Sequence, residues 1–259
     1  MRFLVLKKRS IALFAALLLA VTALALFFSG SGRASFYFGD SLRKIPIYRV
    51  DTQEKKVALT FDAAWGADKT EKILEILEQN GADATFFLVG FWMESYPDVT
   101  KKIAQSGKEI GTHSNTHAHM SRQSAEDIKT ELSVSSAKIE SLTGVVPTLF
   151  RAPFGEYNDR VLTTAEGLNL TTIQWDVDSL DWKSLPAQDI IKRVISRTKP
   201  GSIVLFHNNS DHILTVLPAV LMTLKEKGYS FVKVSDLIYR ENAYVDSKGE
   251  QRLVQSQGA

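Results

Sequence analysis

Between residues 57 and 234 the chain repeats one pattern: a short apolar, β-rich run that ends on polar residues, then a segment whose apolar positions recur at helical spacing. The runs are VALTFD (57–62), ATFFLV (84–89), EIGTH (109–113), TLFRAP (148–153), TTIQWDV (171–177), SIVLFH (202–207) and SFVKV (230–234). The helical segments between them include KILEILEQ, EDIKTELSVSSAKIESL and LPAVLMTLKEKG. Runs that are apolar on both faces suit parallel strands covered by helices, so the alternation predicts an α/β fold. Asp62, His113, Arg151, Asp178, Asp181 and His207 fall at or just beyond the C-terminal ends of these runs. In a barrel those ends converge on one mouth, where active sites are built. The expected architecture is a distorted (β/α) barrel of about seven parallel strands, one for each run.

Outside this region the pattern changes. Residues 11–30, IALFAALLLAVTALALFFSG, form an uncharged apolar run, and roughly 20 residues suffice to cross a bilayer as a helix. Arg2, Lys7, Lys8 and Arg9 precede it, which predicts a cytoplasmic N-terminus with the remainder exported. The run is longer than the apolar part of a typical signal peptide, so a retained anchor is expected in preference to cleavage near SGSGRAS. Residues 1–30 are thus read as anchor or signal peptide, 31–54 as a juxtamembrane linker, 55–240 as the α/β domain and 241–259 as a polar tail.

Composition narrows the picture only a little. A 44% hydrophobic content over 259 residues can fill a sizeable core. The net charge is +2, from 31 basic and 29 acidic residues, so nothing in the whole-chain balance draws it to nucleic acid. Cysteine is absent, so an exported domain here depends on its core or on ligands rather than on disulfides.

The candidate chemistry lies at the strand ends, and each part of it has an ordinary structural explanation when taken alone. Asp62 in TFDAAWG can simply open a turn. HSNTH sets His113 and His117 four apart, close enough on one helical turn to meet one metal ion. His119 is offset from them and reads as structural. In RAPFGEYN, Arg151 precedes a proline-containing turn where Gly155 lets the backbone approach a ligand. DVDSLDW carries three acids around a strand end, and VLFHN ends a very apolar strand on His207, where a polar ring needs a partner or a task.

Taken together and in order, TFD, HSNTH, RAPFG, DSLDW and LFH resemble the five motifs of the polysaccharide deacetylases, carbohydrate esterase family four, over roughly residues 55–240. The resemblance implies hydrolysis of N-acetyl groups from a wall polysaccharide outside the membrane, with peptidoglycan ahead of chitin. It implies Asp62 as the base that activates water, with Arg151 keeping that carboxylate ionised, and His207 as the acid, kept protonated by Asp181. It further implies an oxyanion donor in the Phe154 N–H and an acetyl pocket walled by Leu205 and Trp182. His113 and His117 would bind a divalent metal, zinc above others, with Ser114 bracing their loop.

One position departs from the family pattern. The first motif usually reads T-F-D-D, its second Asp being the third protein ligand of the metal, and this chain has Ala63 there. Asp68 could replace that ligand, although Asp68 with Glu71 three residues later reads better as a helix-capping box. Asp62 could move onto the metal, or two imidazoles and water could suffice. Some sporulation-associated members resemble this chain in lacking the same Asp. The reading that results is an active enzyme with an altered metal site. Its alternative is a glycan-binding or wall-assembly protein that kept the cleft and lost the chemistry. A zinc peptidase or another amidohydrolase would explain the two imidazoles but neither RAPFG nor DSLDW.

Overall fold

From Val57 to Ala63 every side chain is buried, so the strand that carries them is covered on both faces. This strand, β2 (Lys56–Ala63), lies near the middle of the main sheet in the computed structural model, which describes residue 18 and residues 43–254. Around it run β3 (Thr85–Leu88), β4 (Glu109–Thr112), β5 (Leu149–Phe150), β6 (Thr171–Thr172), β7 (Val177–Asp178) and β8 (Ile203–His207). Their order is β6-β5-β4-β3-β2-β8-β7, with every neighbouring pair parallel, and a short β9 (Ser230–Phe231) adds to the start of β2. The expected distorted barrel of seven parallel strands is therefore present. Alternation along β2 sends Val57, Leu59, Phe61 and Ala63 outward into the main apolar cluster, while Thr60 and Asp62 face inward.

Helices α1 (Thr70–Gln79), α2 (Gly90–Ser95), α3 (Pro97–Gln105), α4 (Ala125–Thr143), α5 (Asp159–Gly167), α6 (Ala187–Arg197), α7 (Ile213–Glu226) and α8 (Val234–Leu237) follow the strands. The apolar stripes of α1 and α7, Ile73 and Leu77 with Val220 and Leu224, pack into the same cluster as the outward face of β2.

Three expectations need correction. The run TTIQWDV is not one strand. Its start pairs with β5 and its end with β8, on opposite edges of the sheet, so residues 173–176 cross the opening of the barrel. The 31–54 segment is not all linker: residues from Arg43 onward belong to one compact unit. Ile47 is buried and pairs with Ile173, and Val50 donates to Gly201 O at 2.9 Å, so this stretch occupies the gap between the two edge regions. Gly201 has φ +80°, and a Cβ there would lie 1.9 Å from Val50 O. The 241–259 tail is not simply a tail either. Within it β10 (Ala243–Val245) and β11 (Glu250–Leu253) form a hairpin, and β11 pairs in parallel with β1 (Arg49–Val50). Asp246 closes its turn by accepting from the N–H groups of Lys248 and Glu250.

The capping box is also absent. Asp68 is exposed and α1 begins at Thr70 with no side-chain cap. Its first turn is instead held from the loop after β8: Lys69 Nζ donates to the carbonyls of Asn209 and Ser210, and Asn208 Nδ2 donates to Thr70 Oγ1. Glu71 pairs with Lys102 across the surface. The proposed anchor at 11–30 lies outside the described residues apart from Leu18, and among the described residues no helix is long and apolar enough to cross a membrane.

Candidate active site

Asp62 sits one residue before the end of β2, and its register partner on β8 is His207. Partners on adjacent parallel strands project to the same side, about 5 Å apart. The two polar residues therefore flank one point at the barrel mouth.

Beneath Asp62 lies Arg151, a fully buried guanidinium. Its Nη1 donates to Asp62 Oδ1 and to Thr60 Oγ1, each at 2.8 Å, and its Nη2 and Nε donate to the carbonyls of Gln174 and Ile173 at 3.0 and 3.4 Å. Those carbonyls belong to the segment that crosses the barrel opening, where no strand is available to satisfy them. Phe87 and Trp175 lie under and over the guanidinium at 4.2 and 5.4 Å. A buried charge persists only when it is paired and hydrogen-bonded in this way. Burial pushes the Asp62 carboxyl up, but Arg151 and the nearby imidazoles outweigh it and hold the group below the usual carboxylate range.

His113 follows β4 directly. Its Nδ1 lies 2.8 Å from Arg151 O, a pure acceptor, so Nδ1 carries the proton and Nε2 keeps its lone pair. That Nε2 faces Asp62 Oδ2 at 3.5 Å. Burial lowers the pKa of His113 by more than Asp62 raises it, so the contact is not an ion pair. His117 stands with its ring centroid 5.0 Å from that of His113, and burial, the largest cause, pushes its pKa down to about 4. The two rings meet as expected, but not on a helical turn. Residues 113–117 form a loop with Ser114 and His117 at positive φ. Ser114 Oγ accepts from the His117 N–H at 2.9 Å, and Glu131 on α4 accepts from the N–H groups of Asn115 and Thr116.

On the other side, Asp181 grips His207 twice. Oδ1 accepts from Nδ1 at 2.8 Å and Oδ2 accepts from the backbone N–H at 2.9 Å, which leaves Nε2 directed to the cleft. Asp181 is placed by a turn in which Asp178 Oδ1 accepts from the N–H of Leu180, itself at φ 58°. Burial lowers the His207 pKa, but the hydrogen bond and charge of Asp181 outweigh it and the pKa stands raised.

The RAPFG turn brings Phe154 to the rim with φ 60°, a conformation uncommon for a bulky residue, and its N–H finds no acceptor among the described residues. Asp62, His113, His117, Phe154, Asp181, Trp182, Leu205 and His207 all line one cleft of ≈ 720 Å³, and Arg151 underlies it. Every site residue expected from the sequence is thus in one place. Sequence reasoning missed Thr60, which shares Arg151 with Asp62, and Glu131, which shapes the imidazole loop; Glu131 sits mid-helix with no local signal of that contact.

The divalent metal implied by the motifs is tested by the donor set. Two neutral imidazoles are present, and Asp62 is already committed to Arg151. Ala63 is fully buried in the outer cluster and offers a methyl group, and Asp68 is exposed and does not line the cleft. Among the described residues no group of three His, Cys, Asp or Glu side chains is arranged to hold a metal ion. The residues do not fit a three-ligand site.

Comparison with known proteins bears on the same cleft. A family model described as polysaccharide deacetylase matches residues 49–173. The uncharacterized protein YlxY of Bacillus subtilis is 35% identical over 77% of this chain, which spans 62% of that relative's length. A peptidoglycan-N-acetylglucosamine deacetylase of Bacillus cereus is 34% identical over 74% of this chain and 92% of its own. A crystal structure from Bacillus anthracis, described as a CE4 family pseudoenzyme, superposes with TM-score 0.72 at 35% identity, covering 74% of this chain and 68% of that one. A mutant of that protein is described as having restored enzymatic activity. The matching motifs, the matching barrel and identity across 92% of one relative's length show that the chain belongs to the polysaccharide deacetylase family.

Proposed function

We propose that this chain removes N-acetyl groups from a cell-wall glycan, peptidoglycan in keeping with its relatives, outside the cytoplasmic membrane. The observation that carries the reading is the pairing of two buried carboxylates with two cations around one point: Arg151 with Asp62, and His207 with Asp181.

In this mechanism Asp62 takes a proton from water as its oxygen attacks the acetyl carbonyl. The Phe154 N–H donates to the oxyanion that forms, in a cleft where a fixed donor acts more strongly than in bulk water. His207 then gives its Nε2 proton to the sugar nitrogen as the C–N bond breaks, so acetate and a free amine leave. Asp181 holds the imidazolium ready, and Leu205 and Trp182 wall the acetyl methyl. His113 and His117 are the residues that would touch a divalent cation such as zinc. With the third ligand missing, no step is assigned to it. The apolar run at 11–30 would anchor the domain in the cytoplasmic membrane, on the side that faces the wall; a mature N-terminus near Ser35 would overturn that part.

The test is acetate release from an N-acetylated glycan. Loss in Asp62→Asn and His207→Ala supports the assignment, and retained activity in both overturns it. A second reading, a glycan-binding protein without hydrolysis, is favoured by Ala63 and by the likeness to a pseudoenzyme. Saturable glycan binding with no acetate released under any added divalent metal would select it.

A further inference from the structure

Three tryptophan and phenylalanine side chains are largely exposed among the described residues: Trp65 at 58%, Phe154 at 56% and Trp182 at 58%. All three line the cleft. Exposed large apolar groups gathered at one cleft mark a binding surface. They differ in what already covers them. Lys183 Nζ sits over the Trp182 ring at 4.8 Å, and His119 stacks on Phe154 at 4.3 Å with an interplanar angle of 14°. Trp65 has neither a stacked ring nor a cation over it among the described residues; His117 and Phe91 meet it at 65° and 51°. Its indole N–H also has no acceptor there.

The loop that presents Trp65 is fixed. The carbonyl of the next residue, Gly66, accepts from Trp92 Nε1 at 2.7 Å and from Asn208 Nδ2 at 2.8 Å, and both donor residues are buried. A side chain held on such a loop loses little freedom on binding. Its free face and free N–H match a β-linked N-acetylhexosamine. In the gluco-configured sugars of this class the ring substituents of the β-anomer are equatorial, so the flat faces present C–H groups while hydroxyl and amide acceptors ring the edge.

We propose that Trp65 is a stacking platform for a sugar next to the reacting one, so that the cleft takes a run of β-linked N-acetylhexosamines rather than a single sugar. This rests on the reading of the cleft as a glycan site. The test is calorimetric titration of the full-length chain with N-acetylglucosamine and with its β-1,4-linked tetramer. A strand of the same length alternating N-acetylglucosamine and N-acetylmuramic acid distinguishes peptidoglycan from chitin as the source. Wild type binds at least one tetramer more tightly than the monosaccharide. Trp65→Ala weakens that tetramer about tenfold, about 1.4 kcal/mol, without changing the melting temperature, and Trp65→Phe retains most of the affinity. Unchanged tetramer affinity in Trp65→Ala overturns the platform and leaves the glycan reading standing. Failure of wild type to bind either tetramer overturns both.

Discussion

The two sides of the cleft are built to different standards. Where Asp62 and His207 stand, each functional group has a dedicated partner, and each partner is itself tied to backbone: Arg151 to the carbonyls of residues 173 and 174, Asp181 to the His207 N–H. Where His113 and His117 stand, the loop is equally well braced, by Ser114 and Glu131, yet no third ligand joins the two imidazoles among the described residues, and position 63, where the family pattern has a carboxylate, carries a methyl group buried in the outer cluster. The difference separates two requirements of amide hydrolysis. Proton transfer needs matched pairs, and these are complete. Cation binding needs a ligand count, and this falls short. Under the proposed function, complete proton-transfer pairs stand beside an incomplete cation site, although Arg151 serves both, its side chain holding Asp62 and its carbonyl holding His113.

The largest expected effect tests the complete half. Asp62→Asn removes the charge opposite a buried guanidinium, and breaking such a pair costs about 3–5 kcal/mol of stability. It also removes the proposed base, so acetate release falls by about 10²–10⁴-fold. Thermal unfolding and an acetate assay on the same preparation measure both; an unchanged rate would show that Asp62 is structural. His207→Ala is expected to lower the rate by a similar factor, with less loss of stability because the ring is partly exposed and leaves Asp181 hydrogen-bonded to a backbone N–H.

Ala63→Asp tests the incomplete half. The new carboxylate enters a fully buried position, so without metal it lowers the melting temperature. With zinc, a third ligand is expected to raise affinity by at least about 10–100-fold, the scale on which outer-shell partners alone act. A variant whose melting temperature ignores zinc would show that this side cannot be completed from position 63.

The smallest effect is on the pH profile. His207 must be protonated to act in the proposed mechanism, and Asp181 raises its pKa, so the basic limb lies above the ordinary imidazole range and the rate falls as pH rises through that raised value. Asp62 must be ionised, and its lowered pKa confines the acid limb to pH below the ordinary carboxylate range. Asp181→Asn should move the basic limb to lower pH and leave the acid limb in place; a basic limb that stays put would release His207 from the role of acid.

Much of this site is legible in the chain because parallel strands place motif residues at one mouth whatever the helices between them do. Asp62, Arg151 and His207 each end an apolar run, and the runs alone bring them together. The capping box fails for the opposite reason: the first turn of α1 is held by contacts of Lys69 and Thr70 with residues 208–210, which are far away in sequence. The terminal segments look like linker and tail in the sequence because β1, β10 and β11 form a small sheet of their own and are too short to declare themselves. Ile47 and Val50 are apolar in a polar stretch, and only the gap between β6 and β8 gives them a place to be buried.

By itself, then, the sequence determined the barrel, the order of its strands' polar ends and the missing carboxylate, since alternation and residue type are local properties. The tertiary structure alone decided that TTIQWDV splits across the barrel opening and that Arg151 caps the freed carbonyls there. It alone decided that Trp65 stands uncovered on a fixed loop. Each of these depends on which distant backbone groups are left without a partner, and hydrogen-bond satisfaction is settled only when the whole chain has closed on itself.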